Sequence, residues 1–100
     1  MGKEMISSFR DKYLAQFYQE GRHDRLIPST IERQLARKLD MLAAAEKECD
    51  LHNPTGNYYK RLSGTFQGWS SMRVNIQWRL MFRWRNDAAD LIYLDPHQDT

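Results

Sequence analysis

The segment Trp78–Trp84 alternates apolar residues with residues that are mostly basic, and this pattern constrains the fold more than any other part of the chain. Successive side chains of a β-strand point to opposite faces, so a period of two predicts a strand with one apolar and one basic face. Because such a strand needs neighbours to pair with, the pattern predicts a sheet. The apolar face consists of Trp78, Leu80, Phe82 and Trp84, and the other face consists of Arg79, Met81 and Arg83.

Basic residues are concentrated around this strand. Residues 51–86 contain six Lys or Arg and no Asp or Glu, whereas the rest of the chain has nine basic and thirteen acidic residues. The formal net charge of +2 therefore combines a segment of +6 with a remainder of −4. A basic sheet surface of this kind indicates binding to a polyanion.

The length of 100 residues predicts a single domain spanning residues 1–100. Cys49 is the only cysteine, so an intrachain disulfide is excluded and a cysteine-based metal site is not expected. The polar start, MGKEMISSFRDK, does not resemble a signal peptide, and no apolar run is long enough to span a bilayer. We therefore expect a cytoplasmic protein without membrane contact.

Two helices are predicted in the first half. After a short edge strand at residues 6–9, a helix should run from Asp11 to a glycine cap at Gly21. Ser29 and Glu32 have the spacing of a capping box, and an apolar stripe follows, so a second helix should begin at Ser29 and end near Cys49.

The second half reads as strands joined by turns. After a loop at residues 50–56, strands are predicted at 59–62, 69–74, 78–84 and 89–94, with turns at 64–68, 75–77 and 85–87. The chain should leave the sheet at Asp95. Helices followed by strands predict an α+β fold, with two helices packed on one face of a small, mainly antiparallel sheet. The tryptophan face should contact the helices.

Three arginines of these strands could bind phosphate. In a meander, Arg73, Arg79 and Arg83 should emerge from one sheet face, and guanidinium groups match the geometry of phosphate oxygens. Each arginine alone fits a solvated face better, where it would pair with helix acids or cover apolar surface. The cluster in an acid-free segment favours phosphate binding.

Other polar groups have two interpretations. Asp95 lies two residues before His97 and could orient an imidazole that acts as acid or base, although a histidine near a chain end is often simply exposed. Tyr58 and Tyr59 precede Lys60 and Arg61, an arrangement seen on surfaces that bind single-stranded nucleic acid and also in ordinary strands. Nothing in their surroundings suggests a function for His23 and His52.

Several of these segments resemble one family of bacterial toxins, the HigB toxins of the RelE/ParE superfamily, also called plasmid-maintenance killer proteins. The resemblance covers most of the chain, including residues 31–42 of the second helix. Its most distinctive part is RVNIQWR at residues 73–79. The other matching segments are Gly56-Asn57, Leu62-Ser63-Gly64, Leu80–Trp84 and Asp95-Pro96-His97.

The resemblance implies a compact RelE-like microbial RNase fold. It also implies an endoribonuclease that cuts mRNA on the translating ribosome by attack of a ribose 2′-hydroxyl on the adjacent phosphorus, without a metal or other cofactor. The implied partners are the ribosome with its mRNA and a HigA-type helix-turn-helix antitoxin. Operator DNA would be bound only through the toxin–antitoxin complex.

The resemblance also assigns residues. Arg79 and Arg73 would stabilise the phosphate, His97 would act as acid or base, and Asp95 would orient it or serve as the base. Lys60, Arg61 and Arg83 would contact RNA.

The chain departs from the family pattern at two of the matched positions. Tyr58 replaces an arginine, and Pro96 replaces a tyrosine. Two alternatives to RNA cleavage remain. One is a ParE-like toxin that acts on DNA gyrase, because the fold of this superfamily supports both activities. The other is a module that binds RNA or an antitoxin and whose catalysis is weakened by these two changes.

Overall fold

The computed structural model describes residues 6–96 of the chain. Helices α1 (Lys12–Glu20) and α2 (Glu32–Ala44) precede four strands, β1 (Lys60–Arg61), β2 (Ser70–Arg73), β3 (Trp78–Arg85) and β4 (Ala88–Pro96). The strands form one antiparallel sheet in the order β1-β2-β3-β4. The predicted α+β class is confirmed. Within residues 6–96 both helices are too short and too polar to cross a bilayer.

Helix α1 agrees with its prediction. Gly21 adopts the left-handed conformation with φ of 69°, and its N–H donates to the carbonyl of Phe17 at 3.0 Å. A residue without a Cβ adopts this conformation at little cost, which explains why the helix ends here.

Helix α2 differs from its prediction at both ends. The capping box is wrong: Ser29–Ile31 forms a 3₁₀ turn in which the Ile31 N–H donates to the Pro28 carbonyl, and no side chain caps the helix. The predicted end near Cys49 is also wrong, because α2 stops at Ala44. Ala45 is extended and buried in the core, and the chain continues into a 3₁₀ turn at Glu48–His52.

Strands β3 and β4 form the longest hairpin. Its turn uses Asn86 and Asp87, both with positive φ, as a tight hairpin of this twist requires. Asp95 pairs with Arg79, and Pro96 pairs with Trp78, so the prediction that the chain leaves the sheet at Asp95 is wrong. Proline is tolerated there because β4 lies at the edge of the four-stranded sheet.

The other strands are shorter than predicted. β1 contains two residues and β2 contains four, within the predicted ranges 59–62 and 69–74. The predicted edge strand at residues 6–9 appears as two isolated parallel bridges, Ile6 to Ala89 and Phe9 to Ile92.

One hydrophobic cluster joins helices and sheet. On the sheet side it includes Leu80 and Phe82, with Trp78 and Trp84 packed against it, which confirms the predicted apolar face of β3. The opposite face is not wholly polar, since Met81 is fully buried there between its partners Ser71 and Tyr93. The helices contribute Leu14, Phe17, Leu35, Leu39 and Leu42.

Candidate functional site

A cavity of about 240 Å³ opens at the sheet end formed by the start of β3 and the end of β2. Three of the predicted cations, Lys60, Arg73 and Arg79, line it together. Three positive charges around one small cavity favour an anion as its ligand. The remaining lining residues are Tyr58, Tyr59, Ser71, Asn75 and Trp78.

The strand register explains why these cations meet. Arg73 pairs with Arg79 across β2 and β3, and Lys60 pairs with Ser71 across β1 and β2. Directly opposed residues in an antiparallel sheet project from the same face. The two arginines face each other despite their like charges.

Asp95 lies beside this pair. Arg79 Nε donates to Asp95 Oδ2 at 3.2 Å, and the two side chains are 22% and 32% exposed. Within residues 6–96 the terminal guanidinium nitrogens of Arg79 have no hydrogen-bond partner. The carboxylate thus holds one edge of the guanidinium and leaves the terminal nitrogens for a ligand.

Arg73 is held by an aromatic ring. Its Cζ lies 3.9 Å from the ring centroid of Tyr58, a cation–π distance. Tyr58 has φ of 46° and is 59% exposed. Tyr58 therefore lines the cavity and orients a neighbouring arginine.

The loop before Tyr58 is anchored by a buried asparagine. Asn57 Nδ2 donates to the carbonyls of Leu51 and Asn53 at 3.1 and 3.2 Å, and Lys38 Nζ donates to Asn57 Oδ1 at 2.6 Å. Burial, with a smaller contribution from the charge of Arg37, lowers the pKa of Lys38. The sequence alone assigns no role to Asn57, because a buried loop asparagine has the same local pattern as an exposed one, and none to its partner Lys38.

The turn between β2 and β3 supplies Asn75. Its Oδ1 accepts hydrogen bonds from the backbone N–H groups of Gln77 and Trp78, both at 2.8 Å. Such an Asx turn fixes the predicted chain reversal at residues 75–77. It also places a polar residue in the cavity wall, whereas the sequence pattern at Asn75 indicates only a turn.

Arg61 does not belong to the cavity. It follows Lys60 on β1 and lines a different depression, of about 520 Å³, where its Nη2 lies 3.0 Å from Glu48 Oε1. Glu48 also accepts hydrogen bonds from the Tyr59 hydroxyl and from Ser70. Burial opposes the ionisation of Glu48, but the bonds from Tyr59 and Arg61 outweigh it and lower its pKa. Burial and the hydrogen bond to Glu48 raise the pKa of Tyr59 to about 12.

Arg83 also lies away from the cavity. It pairs with Asp90 at 3.3 Å, and its Cζ lies 5.7 Å from the ring centroid of Trp69. The fully buried Met81 stands between Arg83 and Arg79 on β3. Bonds from Ser8 and Arg83 overcome the opposing effect of burial and lower the pKa of Asp90.

His23 and His52 do not line the cavity. His97 lies outside the described residues. His52 contacts the Tyr59 ring edge-on, and His23 lies 2.9 Å from Glu32. Within residues 6–96, His, Cys, Asp and Glu side chains form no group of three that could hold a metal ion.

Comparison with known proteins identifies the family of this chain. A family model described as "RelE-like toxin of type II toxin-antitoxin system HigB" matches residues 7–97. The chain belongs to the HigB-like toxin family. The sequence resemblance is therefore confirmed, and this HigB-like toxin is the toxin component of a type II toxin–antitoxin system, with an antitoxin as partner.

Two relatives show how far the similarity extends. "Toxin HigB-1" of Vibrio cholerae serotype O1 (strain ATCC 39315 / El Tor Inaba N16961) is 50% identical over 94 residues, which cover 94% of this chain and 99% of the relative. An uncharacterized protein of Haemophilus influenzae (strain ATCC 51907 / DSM 11121 / KW20 / Rd) is 44% identical over 89 residues, covering 89% and 88% of the two chains.

Proposed function

We propose that this HigB-like toxin is a ribosome-dependent mRNA endonuclease that inhibits translation. The observation that carries the proposal is the cavity shared by Lys60, Arg73 and Arg79. A phosphodiester that gains charge in the transition state needs cations already in place around it, in a site partly shielded from water.

The proposed reaction is an internal transesterification. A ribose 2′-oxygen loses its proton to a general base and attacks the adjacent phosphorus. The bond from phosphorus to the 5′-oxygen of the next nucleotide breaks, and that oxygen receives a proton from a general acid. The products are a 2′,3′-cyclic phosphate and a free 5′-hydroxyl, so no water is consumed. In line with the family resemblance, we propose that the cations of the protein stabilise the phosphate without a metal.

The described residues fit the electrostatic part of this reaction. Arg79 presents its terminal nitrogens to a non-bridging oxygen while Asp95 holds its Nε. Arg73, held over Tyr58, and Lys60 supply further charge. We propose Arg79 as the principal phosphate-binding group and Arg73 as the second.

The proton-transfer groups follow from the family resemblance. We propose His97 as general acid or base, since it is the next residue after Pro96, which pairs with the cavity residue Trp78. The Arg79 contact of Asp95 supports a positioning role for that carboxylate. Arg61 and Arg83 would contact RNA only beyond the cavity.

We also propose the partners and the layer arrangement. In a RelE-like fold both helices would cover the apolar face of β3 and leave the Arg79 face open to the ribosome and its mRNA. The antitoxin would be of the HigA type and would connect the toxin to operator DNA. We propose a cytoplasmic location, because these partners are found there.

Induced expression with primer extension on cellular mRNA tests the function. New transcript ends together with growth arrest are expected for the wild-type toxin, and both should disappear with Arg79→Ala at equal protein level. Arrest with intact transcripts and a DNA-damage response would instead indicate gyrase as the target. Normal growth at high expression would indicate a binding module without catalysis.

A further inference from the structure

We infer that Tyr58 is a base-stacking residue that binds one nucleobase of the mRNA beside the phosphate held by Arg73 and Arg79. This inference rests on the proposed function and adds to it a contact with a base. Single-stranded RNA is bound largely by aromatic side chains that stack on exposed bases next to cations that hold the backbone.

The exposure of the Tyr58 ring is the first observation. Tyr58 is 59% exposed although it lines the cavity. Within residues 6–96 its one ring contact is with the Arg73 guanidinium, at 3.9 Å from the centroid. A cation on one side of the ring leaves the other side for a planar ligand.

A comparison with Tyr59 shows that folding does not require an exposed aromatic ring at position 58. Tyr59 is half-buried, packs its ring near His52 and Phe82, and donates its hydroxyl to Glu48. Among the described residues Tyr58 makes no such contacts, so the stability of the fold does not account for an aromatic ring there. A binding role does account for it.

The backbone that carries the ring is also anchored before any ligand arrives. Tyr58 has a positive φ and follows Asn57, whose buried side chain makes three hydrogen bonds. An anchored backbone loses little conformational freedom on binding, which favours affinity.

The cations beside the ring identify the ligand as a nucleotide. Lys60, Arg73 and Arg79 line the same small cavity, so a phosphate bound there would carry an attached base within reach of Tyr58. A protein partner would need no such combination of stacked ring and phosphate-binding charge. An unpaired base presents the flat face that stacking requires, and stacking tolerates any of the four bases.

Cleavage measured for each combination of a protein variant with a normal or modified mRNA tests the inference. Ribosomes are programmed with an mRNA that carries either the normal base or an abasic ribose at one position of the cleaved codon, and cleavage by wild type, Tyr58→Ala and Tyr58→Phe is measured. With wild type and Tyr58→Phe, removal of one particular base should raise KM about tenfold. With Tyr58→Ala, KM should already be raised about tenfold, and removal of that base should have no further effect.

Phe66→Ala is the matched control, since Phe66 is another exposed aromatic residue but does not line the cavity. It should behave as wild type with every mRNA. Equal base dependence of wild type and Tyr58→Ala would overturn the inference, as would loss of antitoxin binding by Tyr58→Ala with unchanged cleavage. If neither the wild-type protein nor any variant cleaves any of the mRNAs, the proposed function is wrong as well. If only the stacking inference is wrong, the wild-type protein still cleaves the unmodified mRNA.

Discussion

Arg79 on β3 and Asp95 on β4 stand directly opposite each other, and Arg79 Nε donates to Asp95 Oδ2 at 3.2 Å. The pair is partly exposed, so its effect on the free energy of unfolding should be below about 1 kcal/mol. Its effect on the site should be larger, because Asp95 fixes the direction in which the terminal nitrogens of Arg79 point.

Asp95→Asn should therefore lower the rate of single-turnover mRNA cleavage by about ten- to a hundredfold while the unfolding midpoint changes little. Asp40→Asn, an exposed carboxylate on α2, is the control. If Asp95 positions Arg79, the pH dependence of the cleavage rate should have the same shape for Asp95→Asn as for wild type. A lost acidic limb would show instead that Asp95 is the general base.

Glu48 should make stability depend on pH. Its folded pKa lies below the ordinary value of 4.5, so its contribution is complete above that value and is lost as pH falls through the folded pKa. Near neutral pH, Glu48→Gln should lower the free energy of unfolding by about 1–2 kcal/mol.

Denaturant titrations from neutral to acidic pH measure this difference. The difference in unfolding free energy between wild type and Glu48→Gln should decrease progressively below pH 4.5, as the carboxylate becomes protonated. Glu46→Gln, an exposed neighbour, should differ little from wild type throughout. A gap that stays constant down to strongly acidic pH would contradict the assigned role of the Glu48 charge.

Asn57→Ala should be strongly destabilising. It removes three hydrogen bonds and leaves the Leu51 carbonyl without this partner in a buried setting, a change worth about 3 kcal/mol of unfolding free energy. Chemical denaturation checks this value against Gln34→Ala, an exposed amide on α2. Equal stability of the two variants would show that Asn57 does not anchor the loop before Tyr58.

Local signals predicted much of the fold. Gly21 marked the end of α1, and the alternation in β3 separated the core side chains Leu80 and Phe82 from Arg79. These features depend on conformational preference and period, which a short segment carries by itself. The meeting of Arg73 and Arg79 followed from the same alternation once the strands were joined as a meander.

Features that depend on distant partners were missed. The alanines at the end of α2 favour helix, yet Ala45 leaves it because its side chain is buried against the core. The length of β4 depends on its register with Trp78 and Arg79, which the segment alone does not specify.

The sequence also does not specify which of the neighbouring cations line the cavity. The family resemblance implies one role for Lys60 and Arg61. Adjacent residues of a strand project to opposite faces, however, and of these two only Lys60 lines the cavity. Arg83 shares a strand face with Arg79, but its carboxylate partner Asp90 could be identified only from the folded hairpin.

The central claim is that Arg79 stabilises the phosphate during mRNA cleavage, and single-turnover cleavage on purified ribosomes tests it most directly. Arg79→Ala should lower the rate by about 10²–10³ at an unchanged unfolding midpoint, and Arg79→Lys should recover part of the loss. Arg37→Ala, an exposed arginine of α2, should cleave as wild type does. Cleavage by folded Arg79→Ala at the wild-type rate would contradict the account.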